Sequence, residues 1–151
     1  MKTFFGILFL VILLFGGSMF WQALKSRSSV GNTGLEQGLL KACSDKPNCV
    51  SSLSNPDKKS FIEPLRADNI EVVWDNLQMG LPDLGLKPVT AQENYIHATA
   101  QTPLLKFVDD VEFLLDREKG LIHVKSESRV GYSDMGANRK RVEAIRKKLK
   151  L

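Results

Sequence analysis

Hydrophobic and polar positions divide the chain into a long apolar segment, a short polar segment and a region of mixed pattern. Residues 3–24 contain no charged side chain, and these 22 residues could cross about 30 Å of hydrocarbon as a helix. We expect a transmembrane signal anchor over residues 1–26. A cleaved signal peptide is the alternative, but no clean small-x-small site follows the apolar core.

Residues 27–42 are rich in Ser, Gly and Asn near their start, which predicts a flexible linker. Residues 43–151 then form the expected folded domain. Its first part, residues 43–65, contains three prolines and is expected to be irregular.

Helical periodicity recurs twice in this domain. Ile70, Val73, Trp74 and Leu77 fall on one helical face, which predicts a helix that Asp68 or Asn69 caps and that ends near residue 79. A last helix is expected over residues 135–150, with Ser133 or Asp134 as its cap. Its apolar stripe comprises Met135, Asn138, Val142, Ile145 and Leu149.

Four segments between these helices read as strands: residues 86–92, 95–102, 109–115 and 121–129. Short connections between them predict an antiparallel four-stranded meander. With helices before and after the meander, the fold class is α+β, a two-layer sandwich preceded by the N-terminal transmembrane helix.

Alternation along these strands separates two faces of the sheet. One face is apolar or small and should carry the helices. The other face is polar; its binding candidates are Tyr95, Lys125 and Arg129. This polar face fits either a solvated surface with cross-strand ion pairs, which we favour, or a shallow binding surface.

Two residues break the apolar pattern. Asp109 falls on the apolar face, and Asn138 lies within the apolar stripe of the last helix. Buried polar groups need partners, and Arg139 is a candidate partner for Asp109. Asp109, Asn138 and Arg139 are therefore expected to form a structural polar lock between helix and sheet, with a functional site as the alternative.

Catalytic templates are largely missing from the chain. The weak candidates are His97 with Asp110 or Glu112, which could form a hydrolytic site on the polar face. We predict no metal and no cofactor. Whether the protein is an enzyme is uncertain, and the pattern favours a non-enzymatic role.

Cys43 and Cys49 flank a Pro-Asn turn and could close a disulfide, although free thiols or half of a zinc site also fit. A disulfide would suit an oxidising space outside the cytoplasmic membrane. From residue 139 to 150, seven cations stand against one acid, Glu143. This basic helix could contact anionic lipid or an envelope protein, and it lacks the interleaved aromatic residues of a nucleic-acid site.

Four motifs resemble the bacterial and plastid family catalogued as domain of unknown function 1499. They are CSDKPNCVSS at 43–52, YIHA at 95–98, FVDDVEF at 107–113 and SESRVGYSDMGANRKR at 126–141. The resemblance covers about residues 43–149 and implies no assigned activity, while family members often carry a membrane leader.

Together these observations predict a single-pass protein of the bacterial inner membrane whose domain faces the periplasm. We expect a non-enzymatic binding or scaffolding module of the envelope. The alternatives are a hydrolase with a His/carboxylate site and a small-ligand carrier with a pocket between sheet and helices.

Overall fold

The structure, a computed structural model, describes residues 2–151 and shows an α+β protein with an N-terminal helix and antiparallel sheets. Its elements in chain order are α1 (Lys2–Ser28), β1 (Leu35–Glu36), β2 (Leu39–Leu40), β3 (Cys49–Ser51), β4 (Leu65–Arg66), α2 (Ile70–Gly80), β5 (Lys87–Ala91), β6 (Tyr95–Gln101), β7 (Val108–Asp116), β8 (Leu121–Ser128) and α3 (Ala137–Lys148).

The four expected strands are β5 to β8, and they pair as an antiparallel meander. The sheet is larger than the sequence indicated, because β3 pairs with the outer edge of β8 and β4 pairs with the same strand further along. Strand β3 lies within the segment expected to be irregular, and β4 begins at its last residue. They are too short for a period-two pattern to show.

The apolar face of the sheet carries α2 and α3, as the alternation predicted. Asn69 caps α2 by accepting the Val72 amide at 3.3 Å. One contiguous cluster fills the space between the helices and the sheet. Its fully buried members include Leu77 of α2, Val142 of α3, and Ile96, Ala98, Val111, Phe113, Ile122 and Val124 of the strands.

Helix α1 contains one segment, Thr3–Ser28, that is long and apolar enough to span a membrane by length and composition. Signal sequences pass the same test. The C-terminal end of α1 packs against the domain. Ser26 is fully buried, and its hydroxyl accepts from the Val108 amide at 2.7 Å and donates to the Val108 carbonyl at 3.3 Å.

Residues 29–44, which we call the strap, lie across the polar face of the sheet. The strap contains a small hairpin of β1 and β2, and its two turn residues, Gln37 and Gly38, both have positive φ. Two such residues suit a tight type I′ hairpin turn. Leu40 of the hairpin packs in an apolar cluster with Tyr95 and Leu114 of the sheet.

Candidate functional site

Strand register brings the polar candidates together on one face, as the sequence analysis expected. His97 stands opposite Glu112, and Glu112 stands opposite Lys125. Asp110 occupies the neighbouring rung, opposite Glu127. Tyr95 lies at the start of β6 on the same face, and Arg129 follows the end of β8.

This face is buried, so the expectation of a solvated surface is wrong. Lys125 and Glu112 are each 1% exposed and Asp110 is 3% exposed. The strap covers them, and much of its contact with the sheet is made by its own main chain. Alternation showed which side chains share the face but carried no information on what lies over it.

The strap binds the sheet along its length. The Ser29 carbonyl accepts from Arg129 Nη1 at 3.0 Å, and the Asn32 carbonyl accepts from Lys125 Nζ. The Gly34 amide donates to Glu112 Oε1 at 2.6 Å. The sequence predicted a flexible linker over residues 27–42, whereas the structure describes a segment that is hydrogen-bonded to the sheet. The division of the chain into anchor, linker and domain stays a prediction.

Asp110 is the centre of the first charge cluster. Both of its oxygens accept from Arg129 at 2.8 Å, and Oδ1 also lies 2.7 Å from His97 Nε2. Burial acts to raise the pKa of Asp110, but the hydrogen bonds from Arg129 and His97 outweigh burial and lower it. The hydrogen bonds to Asp110 raise the pKa of Arg129. The pair is therefore held fully ionised.

The second cluster is centred on Lys125 and Glu112. Lys125 Nζ lies 3.5 Å from Glu112 and 3.2 Å from Glu127, so one ammonium faces two carboxylates. The Tyr95 hydroxyl donates to Glu112 Oε1 at 2.6 Å. Burial, and then this hydrogen bond, raise the pKa of Tyr95, which keeps the phenol protonated as a donor.

Glu127 extends this cluster to the end of the strap. Its carboxylate accepts from the Asn32 side chain at 3.2 Å and from the Ser44 amide at 3.1 Å. The predicted disulfide between Cys43 and Cys49 is present, and it ties the end of the strap to β3. Covalent and polar contacts therefore hold the strap at the same edge of the sheet.

At Gly31 the strap passes so close to the sheet that there is no room for a side chain. A Cβ atom at this position would lie 1.9 Å from Asp110 Oδ2, far inside van der Waals contact. Only glycine fits here without displacing the strap or the Asp110–Arg129 pair. The small groove beside it, of about 200 Å³, is lined by residues that include Asn32, Lys46 and Arg129.

The weak catalytic candidates lie close together, but each is already hydrogen-bonded within the protein. His97 and Asp110 are hydrogen-bonded, while Glu112 binds Tyr95 and the strap. A general base needs a free path to its substrate, and the strap lies over this face. No set of three His, Cys, Asp or Glu residues suited to a metal ion occurs within residues 2–151.

The polar lock has a different partner from the one expected. Asp109 pairs with Arg141 through an Nη2–Oδ2 contact of 2.5 Å, and Arg141 also donates to Ser126 Oγ at 3.0 Å and to Asn138 Oδ1. Arg139 instead donates to the carbonyls of Lys59 and Phe61. The structure thus brings Asp109 and Asn138 together and places Arg139 elsewhere.

The side-chain amide of Asn138 has hydrogen-bond partners at both its nitrogen and its oxygen. Its amide nitrogen donates to the Asn48 carbonyl at 2.9 Å and to Ser128 Oγ at 3.0 Å, and its Oδ1 accepts from Ser126 Oγ at 2.7 Å.

The start of α3 is held by Asp134, whose carboxylate accepts from the Asn138 amide at 2.8 Å. Asp134 therefore bonds to the first turn of α3 but is not its N-cap, which is Gly136. The helix begins at Ala137, two residues later than expected, so Met135 lies outside the apolar stripe and is exposed.

His123 is a buried group on the same face of the sheet as His97. Its Nδ1 lies 3.2 Å from Ser52 Oγ, and its Nε2 has no hydrogen-bond partner within the described chain. Burial lowers the pKa of His123, although Asp116, 3.7 Å from Nε2, opposes the shift. Sequence spacing could not reveal the contact between His123 and Ser52, because the two residues are far apart along the chain.

Comparison with known families supports the resemblance seen in the motifs. A family model described as "Protein of unknown function (DUF1499)" matches residues 39–149, which is most of the folded region. Neither a search of curated proteins nor a search of solved structures found a match.

Proposed function

Because the chain belongs to the DUF1499 family, whose description assigns no activity, we propose a function from its architecture. The protein is a single-pass membrane protein of the bacterial envelope, and its domain is a non-enzymatic binding or scaffolding module. Helix α1 is the anchor in this proposal. The domain faces the periplasm, where the Cys43–Cys49 disulfide would form readily.

The closed polar face is the observation that carries the non-enzymatic role. The residues that could have served acid–base chemistry are tied to one another and lie beneath the strap. A buried and fully bonded charge cluster is a typical means of fixing one arrangement of a segment over a sheet. The alternative hydrolase would require the strap to leave Asp110 and Glu112 before substrate could reach His97.

The carrier alternative is also less well supported. The space between the sheet and the two helices is filled by one contiguous cluster of side chains. A groove of about 480 Å³ lies instead near the ends of α2 and α3, lined by residues that include Val73, Leu84 and Leu149. A ligand of the kind expected for a carrier would need a deeper apolar pocket.

The basic helix offers a surface for an acidic envelope partner. Arg139 and Arg146 bind main-chain carbonyls of residues 59–64. Lys140 and Lys147 are exposed. These two lysines are the cations that the proposal assigns to partner contact.

Complementation of a deletion strain separates binding from catalysis. We expect His97→Ala to restore the lost phenotype fully, and the double variant Lys140→Glu/Lys147→Glu to fail while reaching the same membrane level. Full loss of function in His97→Ala at normal abundance, with an active double charge reversal, would instead support the hydrolase.

Protease treatment tests the topology. Protease added to spheroplasts should digest the domain, and protease added to intact cells should not. Protection of the domain in spheroplasts until detergent is added would place it in the cytoplasm and refute the proposal.

A further inference from the structure

Three exposed apolar side chains stand close to the domain end of α1. Leu104 is 88% exposed, Tyr132 is 75% exposed and Met135 is 91% exposed. We call these three residues the rim. They lie on two loops, residues 102–107 and 130–136, both of which line one groove, and large apolar side chains exposed beside a groove mark an interaction surface.

Both loops are ordered by their own hydrogen bonds. In the first, Thr102 Oγ1 accepts from the Phe107 amide at 3.0 Å. In the second, Asp134 Oδ1 accepts from the Gly136 amide at 3.0 Å. Met135 has φ of 52°, a left-handed conformation that is unfavourable for a residue with a long side chain. The backbone therefore holds an apolar side chain outward at a cost in conformational energy.

The position of the rim relative to α1 is fixed by contacts. The Arg27 guanidinium donates to the Leu105 carbonyl at 2.9 Å, which places the first loop beside the last turn of the helix. The second loop reaches further along the helix. Met19 and Gln22 line a groove of about 350 Å³ together with Phe107, Tyr132 and Met135.

That groove reaches the depth of the membrane surface. Met19 lies roughly 10 Å along the axis from Ser26, at 1.5 Å rise per residue. It belongs to the uncharged segment 3–24, whose end carries the exposed aromatic residues Phe20 and Trp21. Aromatic side chains favour the boundary between lipid and water. A loop that lies beside Met19 is therefore at that boundary if α1 spans the bilayer.

We propose that the rim and groove are a membrane-contact surface. Leu104, Tyr132 and Met135 enter the interface of the bilayer that holds α1, and a phospholipid of that bilayer occupies the groove beside Met19. The domain then lies on the membrane instead of projecting from it. This inference rests on the proposed membrane-spanning role of α1.

Site-specific fluorescence in lipid tests the surface. Single cysteines at Leu104→Cys and Met135→Cys in the full-length protein would carry an environment-sensitive dye, since the two native cysteines are joined in a disulfide. The protein would be reconstituted in phosphatidylethanolamine and phosphatidylglycerol vesicles with a spin label near the lipid headgroup. We expect blue-shifted emission and quenching by the spin label at both positions.

Two further variants make the outcome unambiguous. Met79→Cys is the matched control, because Met79 is an exposed methionine at the end of α2 and should show neither change. Phe9→Cys reports on α1 and should be quenched by a spin label deep in the acyl chains. Quenching at residue 9 with rim signals equal to residue 79 would overturn the membrane-contact surface alone. No quenching at residue 9 would overturn the spanning helix and this inference together.

Discussion

At the scale of single residues, the structure explains why polar groups occupy apolar positions. Asp109 and Asn138 lie in the layer between sheet and helix, and Arg141 bonds to both of them. The sequence identified the two anomalies because each interrupts a periodic apolar pattern. It did not identify the partner, because Arg139 and Arg141 both lie near Asn138 on the helix and only the docking angle of α3 distinguishes them.

Removing Arg141 should therefore be far more damaging than removing Arg139. Arg141→Gln leaves the buried Asp109 carboxylate without its cation, and we expect a loss of about 3 kcal/mol in the free energy of unfolding. Arg139→Gln, the matched control on the same helix, removes bonds to two carbonyls and should cost about 1 kcal/mol. Urea unfolding of the full chain in detergent measures both; equal losses would contradict the assignment of Arg141.

His123 leads to a second prediction at the residue scale, which concerns the pH dependence of stability. Its pKa is lowered in the folded protein, so its stabilising contribution is complete above the unfolded pKa of about 6.5 and is lost as pH falls through the folded value. The free energy of unfolding should therefore decrease as pH falls below about 6.5, and it should decrease less steeply in His123→Gln. Parallel slopes for the two proteins between about pH 7 and pH 5 would show that His123 is not the group responsible.

At the scale of elements, the strap is the feature that the sequence concealed. Its contacts with the sheet are made largely by main-chain atoms of Ser29, Asn32 and Gly34, which leave no pattern in side-chain type. Glycine and serine are frequent both in flexible linkers and in segments that approach another chain closely. By contrast, β6 to β8 and both domain helices were predictable, because each buries a periodic apolar face, whereas β5 is mostly exposed.

Gly31 gives the prediction for this element. Gly31→Ala should lower the free energy of unfolding by about 1–3 kcal/mol, since the added methyl overlaps Asp110 and that carboxylate is held by Arg129. It should also speed trypsin cleavage at Lys41 within the strap. Gly80→Ala is the control, because nothing lies within 4 Å of its added methyl at the end of α2. Unchanged stability and cleavage in Gly31→Ala would mean that the strap is not packed on Asp110.

At the scale of the whole molecule, helix α1, the strap and the domain form one connected arrangement. The last turn of α1 is bonded to β7 through Ser26, the strap continues from it over the polar face, and the disulfide fastens the strap to β3. The sequence predicted the fold class, the candidate anchor and the disulfide. It could not predict the closure of the polar face, because that depends on contacts between distant segments.

Hydrogen exchange of the full-length protein in lipid nanodiscs tests this closure most directly. The Gly34 amide donates to the buried carboxylate of Glu112 and should exchange far more slowly than an unstructured amide, with protection comparable to that of β7. Exchange of residues 29–44 at the unprotected rate, while β6 to β8 remain protected, would show that the strap is a free linker and that the polar face is open.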